Sequence, residues 1–288
     1  MSGLQSWGRY PPHVQTEHCL NWPEEAAVLL AQLEAGGHTP TLPFGMGRSY
    51  GDSCLAVSDH VLVTRGMDRL IAADWENGVV VAQAGLTLAV LIEIALPHGW
   101  FPQVTPGTKF VTLGGAVAND VHGKSHHVTG TFGRHVRRMC LLRSDEGRVE
   151  CLPTARQELF AATVGGLGLT GIILEVELQL RRVNSSDIVQ RSIRFGNLEE
   201  FFALSSEYDH GHEYTVAWVD CLSSGKKTGR GHYWAGDHAE GGRLAPEAPG
   251  RLSMPSMYPS QCLFSSCFVL ILNGLFNETG SEQNGSPS

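Results

Sequence analysis

The chain has 288 residues, of which 42% are hydrophobic and 17% are charged, and its formal net charge is −8. This balance is typical of a globular protein, and an acidic chain without a basic stripe excludes nucleic acid as a partner. We expect the most basic segment, residues 134–138, to lie on a solvated strand edge.

The predicted elements alternate between helices and strands. Apolar residues at i, i+3, i+4 and i+7 indicate helices, and strict alternation indicates strands. In chain order the patterns predict a helix from about 23 to 36, strands over 39–44 and 61–64, a hairpin over 71–85, a helix over 87–96, a loop-rich stretch over 101–135, a hairpin over 138–152, a helix over 157–163, a long strand over 172–181, and strands over 188–195 and 214–221 around a helix over 198–208.

Seven cysteines are an odd number, and no two of them form a CxxC pair. This pattern favours reduced thiols in a cytoplasmic protein over a disulfide framework or a zinc site. The N-terminus has no charged start followed by an apolar core, so we expect no signal peptide. The longest apolar stretch, residues 262–276, is shorter than the roughly 20 residues that span a bilayer.

A first glycine loop follows the strand predicted over 39–44 and has three glycines within residues 45–51. Such a loop can turn successive backbone N–H groups inward and form an anion nest that suits a pyrophosphate. Arg48 and Ser49 could add donors, although Arg48 could equally hold Asp52 structurally. Taken alone, the loop favours a simple turn and a phosphate cradle equally.

A second segment is dominated by small residues, from Gly114 to Ala118, and follows Pro106, Gly107 and Thr108. Small side chains let a flat ring system lie against the backbone. A tightly packed helix start explains the same residues, and the residues alone favour that alternative slightly.

A third glycine segment, with Gly166, Gly168 and Gly171, matches the pattern of a dinucleotide-binding fingerprint. That fingerprint must follow a strand and open a helix, so that the pyrophosphate meets the helix N-terminus. Here a predicted helix comes before the glycines and a predicted strand after them. The segment is therefore interpreted as a tight helix-to-strand turn and not as a nicotinamide site.

Four histidines, at positions 122, 126, 127 and 135, lie close together in the sequence. A helix would place His122 and His126 on one face like metal ligands, but Gly123 interrupts the helix and no glutamate follows His122. We therefore predict no metal site. His122, beside Lys124, is the candidate for chemistry because an imidazole can take a proton near neutral pH.

Several segments in series resemble the vanillyl-alcohol-oxidase, or PCMH-type, family of FAD-binding oxidoreductases. The resemblance covers about residues 7–235 and rests on residues 45–52, 106–108, 111–116, 119–127 and 168–173. It implies an α+β fold in which a two-lobed PCMH-type FAD-binding domain over residues 1–183 is followed by an incomplete α+β substrate domain over residues 184–288. We expect a disordered tail from about residue 277.

The resemblance also implies that FAD lies between the two lobes. Some relatives bind FAD covalently through a histidine in the first loop, and Tyr50 at the matching position implies non-covalent FAD. The residues that the resemblance assigns to the cofactor are Pro43, Phe44, Gly45, Met46, Gly47, Arg48, Ser49, Tyr50, Gly51, Asp52, Ser53, Pro106, Gly107, Thr108, Thr112, Leu113, Gly114, Gly115, Asn119, Asp120, Val121, His122 and Ile173.

The implied reaction is the oxidation of a secondary alcohol of a sugar by hydride transfer to the flavin. The implied catalytic residues are His122, Lys124 and Tyr50. His122 would orient or deprotonate the hydroxyl, and Lys124 would bind sugar or phosphate oxygens.

Within this family, a polyprenyl-phosphate sugar is the favoured substrate, and an aldonolactone or an alditol is the alternative. A lipid-linked substrate would bring a peripheral membrane contact, and a partner reductase is a further expected partner. Family members run substantially longer, so we expect the chain to be a fragment. A catalytically incomplete flavin-binding protein is the alternative to an active enzyme.

Overall fold

The computed structural model of the chain describes residues 4–246, which form two compact units. The first unit contains residues 4–187 together with His238–Pro246, and the second contains Ile188–Asp237. The predicted domain division at residue 183 stays a prediction. The apolar stretch 262–276 and the expected tail from residue 277 lie outside the described residues.

Helices and strands alternate along the described chain, which confirms the predicted α+β fold. In chain order these elements are β1 (Thr16–Cys19), α1 (Glu25–Ala35), β2 (Leu42–Phe44), β3 (His60–Val63), β4 (Leu70–Asp74), β5 (Val79–Gln83), α2 (Leu88–Ala95), β6 (Trp100–Pro102), α3 (Leu113–Ala118), α4 (His126–Thr129), β7 (Val136–Arg143), β8 (Gly147–Cys151), α5 (Gln157–Thr163), β9 (Ile172–Arg182), β10 (Ile188–Phe195), α6 (Leu198–Tyr208), β11 (Tyr214–Val219) and β12 (Gly231–His238).

The smaller sheet of the first unit has three parallel strands in the order β1–β3–β2. Its central strand carries a continuous buried run, Val61 to Val63, as expected for a parallel strand that is covered on both faces. Leu62 shares a core cluster with Leu33 of α1 and Leu174 of β9. This packing joins the small sheet to the large one and leaves the first glycine loop at the end of β2.

The larger sheet is antiparallel, with the strand order β4–β5–β9–β7–β8 and with β6 paired to β9. Helix α2 packs Leu88 and Leu91 into the core of this lobe. Each fully buried leucine contributes about 1.5–3 kcal/mol relative to an exposed one. The helix begins at Thr87, whose hydroxyl oxygen accepts a hydrogen bond from the Val90 N–H at 3.4 Å.

The second unit is a three-stranded sheet in the order β10–β12–β11, with α6 packed on one face. Phe195, Tyr208 and Tyr233 form the buried centre of this packing. The helix begins at Asn197, whose side-chain oxygen accepts a hydrogen bond from the Glu200 N–H at 3.0 Å.

Three strands of the structure, β1, β6 and β12, are absent from the sequence predictions. β1 and β6 are only four and three residues long, and β12 contains glycine, aspartate and histidine, which are not typical of strands. At the start of β7, Val136 and Arg138 pair with β9, and pairing with β8 begins only at Met139, so the predicted edge position of residues 134–138 stays a prediction. Arg138 pairs across both of these strands, with Glu150 at 2.7 Å and Glu177 at 3.1 Å.

Among the helices within residues 4–246, none has the length and apolar character needed to cross a membrane.

Candidate functional site

A cavity of about 720 Å³ lies in the first unit, where the glycine segments meet. Segments that are more than 160 positions apart in the sequence share its wall. The lining residues are Trp7, Pro43, Gly45, Met46, Gly47, Arg48, Ser49, Tyr50, Ser53, Cys54, Thr64, Ala84, Pro106, Gly107, Thr108, Val111, Thr112, Gly114, Gly115, Ala118, Asn119, Val121, His122, Leu167, Gly168, Gly171 and Ile173.

The first glycine loop, most of which lines this cavity, has backbone donors without a protein partner. No backbone N–H from Gly45 to Gly51 donates a hydrogen bond to a protein acceptor within residues 4–246. Gly47 has a φ of +61°, which favours glycine, and a Cβ there would lie 2.6 Å from the Gln5 carbonyl oxygen. A loop with free backbone donors and a left-handed glycine suits an anion.

Arg48 adds an uncompensated positive charge to the same wall. Its Nη1 donates to the Met46 carbonyl oxygen at 3.1 Å, and its guanidinium carbon lies 5.4 Å from the centre of the Trp7 ring. Among residues 4–246, no carboxylate forms an ion pair with Arg48, so the alternative in which this side chain holds Asp52 finds no support. The charge is available to an anion in the cavity.

The second glycine segment meets the first at Thr112. This residue is buried, and its hydroxyl oxygen accepts a hydrogen bond from the Gly115 N–H at 3.1 Å, which caps α3. A Cβ on Gly45 would lie 2.6 Å from the same hydroxyl oxygen. The two loops thus pack backbone against side chain and leave no room for a larger residue at Gly45.

The small residues of α3 permit a further close approach. The Gly114 N–H donates to the Ala84 carbonyl oxygen at 2.8 Å, and a Cβ on Gly114 would lie 3.0 Å from the Ala84 Cβ. Gly114, Gly115 and Ala118 all line the cavity. A flat ring could therefore lie against backbone along this wall.

The third glycine segment is a helix-to-strand turn between α5 and β9, as the sequence predicts. Gly168 has a φ of +80° and Gly171 a φ of +143°, and β9 follows directly, so no helix N-terminus is available as the Rossmann arrangement requires. The turn nevertheless lines the cavity through Leu167, Gly168 and Gly171, and a Cβ on Gly168 would lie 3.4 Å from Pro43. The glycine pattern predicted the turn, and the structure adds its place in the cavity wall.

Of the predicted catalytic residues, His122 and Tyr50 line the cavity and Lys124 does not. All three side chains are exposed, with Tyr50 80% exposed. Gly123 packs directly against the Thr105 carbonyl group, which positions the backbone between His122 and Lys124.

The other histidines of this region lie outside the cavity. His135 pairs with the Thr129 carbonyl oxygen at 3.0 Å, and burial lowers the pKa of its imidazole. The His122 and His126 rings lie 5.4 Å apart in an edge-to-face arrangement. Within the described part of the chain, no group of histidine, cysteine or acidic residues could hold a metal ion.

Five of the predicted cofactor residues do not line the cavity. Phe44 and Leu113 are buried in core clusters, and Gly51 and Asp52 lie on the exposed part of the loop. The Asp120 carboxylate accepts a hydrogen bond from the Gly133 N–H at 2.8 Å, so its role in the structure is to hold the following turn. The structure places these five residues outside the cavity lining, and their assignment to the cofactor stays a prediction.

Nine lining residues were not among the predicted cofactor residues: Trp7, Cys54, Thr64, Ala84, Val111, Ala118, Leu167, Gly168 and Gly171. Thr64 and Ala84 follow β3 and β5 directly, so the ends of known strands were the signal that could have found them. Cys54 lies near Ser49, and burial raises the pKa of its thiol. No local sequence pattern identifies Trp7 as a residue of the cavity lining.

Residues 23–152 match a family model described as an FAD binding domain. The chain is 33% identical to decaprenylphosphoryl-beta-D-ribose oxidase of Mycolicibacterium smegmatis over 98% of its own length and 64% of that protein. It is 26% identical to D-lactate dehydrogenase of Anaerostipes hadrus over 72% of the chain and 44% of that protein. It is 28% identical to mouse L-gulonolactone oxidase over 46% of the chain and 30% of that protein. The chain thus spans less than two thirds of these relatives.

Proposed function

We propose that the chain is a PCMH-type FAD-binding oxidoreductase, which holds FAD non-covalently in the 720 Å³ cavity and oxidises a secondary alcohol of a sugar. FAD, when bound, supplies the hydride acceptor for this chemistry. The protein contributes binding, orientation and proton transfer.

The observation that carries the proposal is the run of unpaired N–H groups from Gly45 to Gly51 beside Arg48. Backbone donors that lack a protein partner need water or a ligand, and a nest of such donors favours an anion. Arg48 supplies a guanidinium with no carboxylate partner in the described chain. A pyrophosphate is the part of FAD that these groups fit.

The opposite wall suits the ring systems of the cofactor. Gly114, Gly115 and Ala118 expose backbone there, and Ile173 adds an apolar surface that is itself buried to 6% exposure. Residues 43–53 include no histidine, which supports a cofactor held without a covalent bond in this loop.

His122 is the proposed group that orients or deprotonates the substrate hydroxyl, because it lines the cavity and histidine is the side chain that most often acts as a general base. Lys124, two residues further on, lies outside the lining and is proposed to bind sugar or phosphate oxygens that extend from the cavity. Tyr50, exposed at the cavity, is proposed to contact the substrate.

The name of the Mycolicibacterium relative favours a polyprenyl-phosphate sugar as substrate, and the gulonolactone oxidases favour an aldonolactone. The chain matches the first over 98% of its own length and the second over 46%, so we propose the polyprenyl-phosphate sugar first. A catalytically incomplete flavin-binding protein is the second candidate, because Lys124, one of the predicted catalytic residues, lies outside the cavity lining. The cytoplasmic location, the membrane contact and the partner reductase stay predictions.

A binding experiment tests the cofactor site. The purified chain should show flavin absorbance bands after incubation with FAD, and acid precipitation should release all of the flavin. Arg48→Gln should weaken FAD binding about 10- to 100-fold, since hydrogen bonds to charged groups are the stronger ones. Arg65→Gln is the matched control, because Arg65 is exposed and lies outside the cavity. Equal binding by both variants would contradict the proposed site.

A reduction experiment tests the proposed role of His122. Under anaerobic conditions a sugar alcohol substrate should bleach the flavin of the wild-type chain, and His122→Ala should slow this reduction at least tenfold. His126→Ala is the control, because His126 lies in the same segment outside the cavity. Bound FAD without reduction by any sugar alcohol or aldonolactone would leave the second candidate, a flavin-binding protein.

A further inference from the structure

The N-terminal segment, residues 4–9, packs backbone against backbone on the first glycine loop. The Trp7 N–H donates to the Ser49 carbonyl oxygen at 2.9 Å. Gly8 lies so close to the Tyr50 carbonyl group that a Cβ would overlap it, and a Cβ on Gly47 would lie 2.6 Å from the Gln5 carbonyl oxygen. These contacts fix the position of Trp7 relative to the loop.

The Trp7 side chain lines the cavity and is 57% exposed. The hydrogen bond to Ser49 fixes its backbone, and the centre of its ring lies 5.4 Å from the Arg48 guanidinium carbon. A large aromatic side chain at the rim of a cavity can cover a bound ligand and can hold a neighbouring cation through its ring face. Both effects would act on an anionic, ring-containing ligand.

We propose that Trp7 is a flavin-binding residue, which closes the cavity over the first glycine loop and holds Arg48 toward the cofactor pyrophosphate. The inference rests on the proposed function, because it assumes that FAD occupies this cavity. It adds to the site a residue from outside the three glycine segments and 36 positions before Pro43, the first of the predicted cofactor residues.

Trp22 provides a matched control within the same unit. It is 49% exposed, and the Arg69 guanidinium lies over its ring at 3.6 Å, so it also forms a cation–π pair. Trp22 does not line the cavity. A general effect of losing a half-exposed tryptophan would appear equally in variants of both residues, whereas a binding role would appear only in variants of Trp7.

The test measures FAD affinity for the full chain and for Trp7→Ala, Trp7→Phe and Trp22→Ala. We expect Trp7→Ala to raise the Kd of FAD about tenfold, Trp7→Phe to raise it less because a ring remains, and Trp22→Ala to leave it unchanged. A second measurement compares Trp7→Phe with an added control, Trp22→Phe. We expect FAD to quench the tryptophan fluorescence of Trp7→Phe less than that of Trp22→Phe. A merely structural role for Trp7 would not produce this difference in quenching.

Two outcomes would overturn the inference, and they are distinguishable. If wild type and Trp7→Ala bind FAD equally and quenching is unchanged in Trp7→Phe, this inference fails and the proposed function stands. If the wild-type chain binds no FAD, the proposed function fails and the inference fails with it. If Trp7→Ala does not fold, the FAD affinity and the fluorescence quenching of Trp7→Phe still test the inference.

Discussion

The contact between Gly45 and Thr112 makes a sharp prediction, because it joins the two glycine loops of the cavity. The Thr112 hydroxyl oxygen accepts a hydrogen bond from the Gly115 N–H at 3.1 Å. A Cβ added by Gly45→Ala would lie 2.6 Å from this oxygen, well inside the 3.4 Å at which ordinary contact begins. The Thr112 hydroxyl cannot turn away from this Cβ without losing its hydrogen bond to the Gly115 N–H.

The cost has two parts. Moving the hydroxyl breaks the cap of α3, which costs about 1 kcal/mol, and overpacking a buried contact costs roughly 1–3 kcal/mol. We therefore expect Gly45→Ala to lower the free energy of unfolding by about 2–4 kcal/mol. We also expect the Kd of FAD to rise at least tenfold, because the loops that form the cavity are pushed apart.

Urea unfolding and FAD titration of four variants test this reasoning. Gly51→Ala is the control in the same loop, because nothing lies within 4 Å of a Cβ at that position. Thr112→Ala alone should lose only the cap. In the Thr112→Ala background the nearest remaining atom, the Cβ, lies 3.6 Å away, so Gly45→Ala should then cost almost nothing. A cost of Gly45→Ala that is equal in both backgrounds would refute the proposed contact.

Two further predictions follow from the same unit. Gly78 has a φ of +67°, and a Cβ there would overlap the Trp100 ring, so Gly78→Ala should lower the free energy of unfolding by about 2–4 kcal/mol. Gly147→Ala is the control: its φ is +75° and nothing lies within 4 Å of a Cβ, so it should cost only about 1 kcal/mol. Equal urea midpoints for the two variants would contradict this prediction. Burial raises the pKa of the Cys54 thiol in the cavity wall, so less of it is thiolate at a given pH and its alkylation should need a pH above the usual thiol pKa of about 8.5. Bound FAD should protect Cys54 but not the exposed Cys19 in peptide mapping by mass spectrometry, and equal labelling of Cys54 with and without FAD would count against the cavity as the FAD site.

Local sequence patterns correctly predicted those helices, strands and turns whose geometry is set by residues adjacent in the sequence. The hairpin over 71–85 turns at Asn77 and Gly78, where glycine readily adopts the required positive φ. The helix Gln157–Thr163 and the strand Ile172–Arg182 lie where the patterns predict them, within a residue at each end. In these segments the apolar residues recur with the period of the element that they form, so a short window of sequence is sufficient.

The convergence of the first two glycine loops was also accessible from sequence, but only through the resemblance of several segments in series. Taken singly, each loop was equally or better explained as a turn or a helix start. The contact of Gly45 with Thr112, 67 positions away, is what distinguishes a shared cavity from two separate turns.

Contacts between distant segments were decided by the tertiary structure alone. Arg48 lies against Trp7 and not against Asp52, Gly168 reaches Pro43, and Asp120 holds the Gly133 N–H. The same holds for β6, a three-residue strand that exists because it pairs with β9 about 80 positions later. The sequence by itself determined most of the longer helices and strands and the hairpin turns, because those preferences arise within a few bonds of each residue. Which side chains face one cavity depends on packing between segments that no local pattern records.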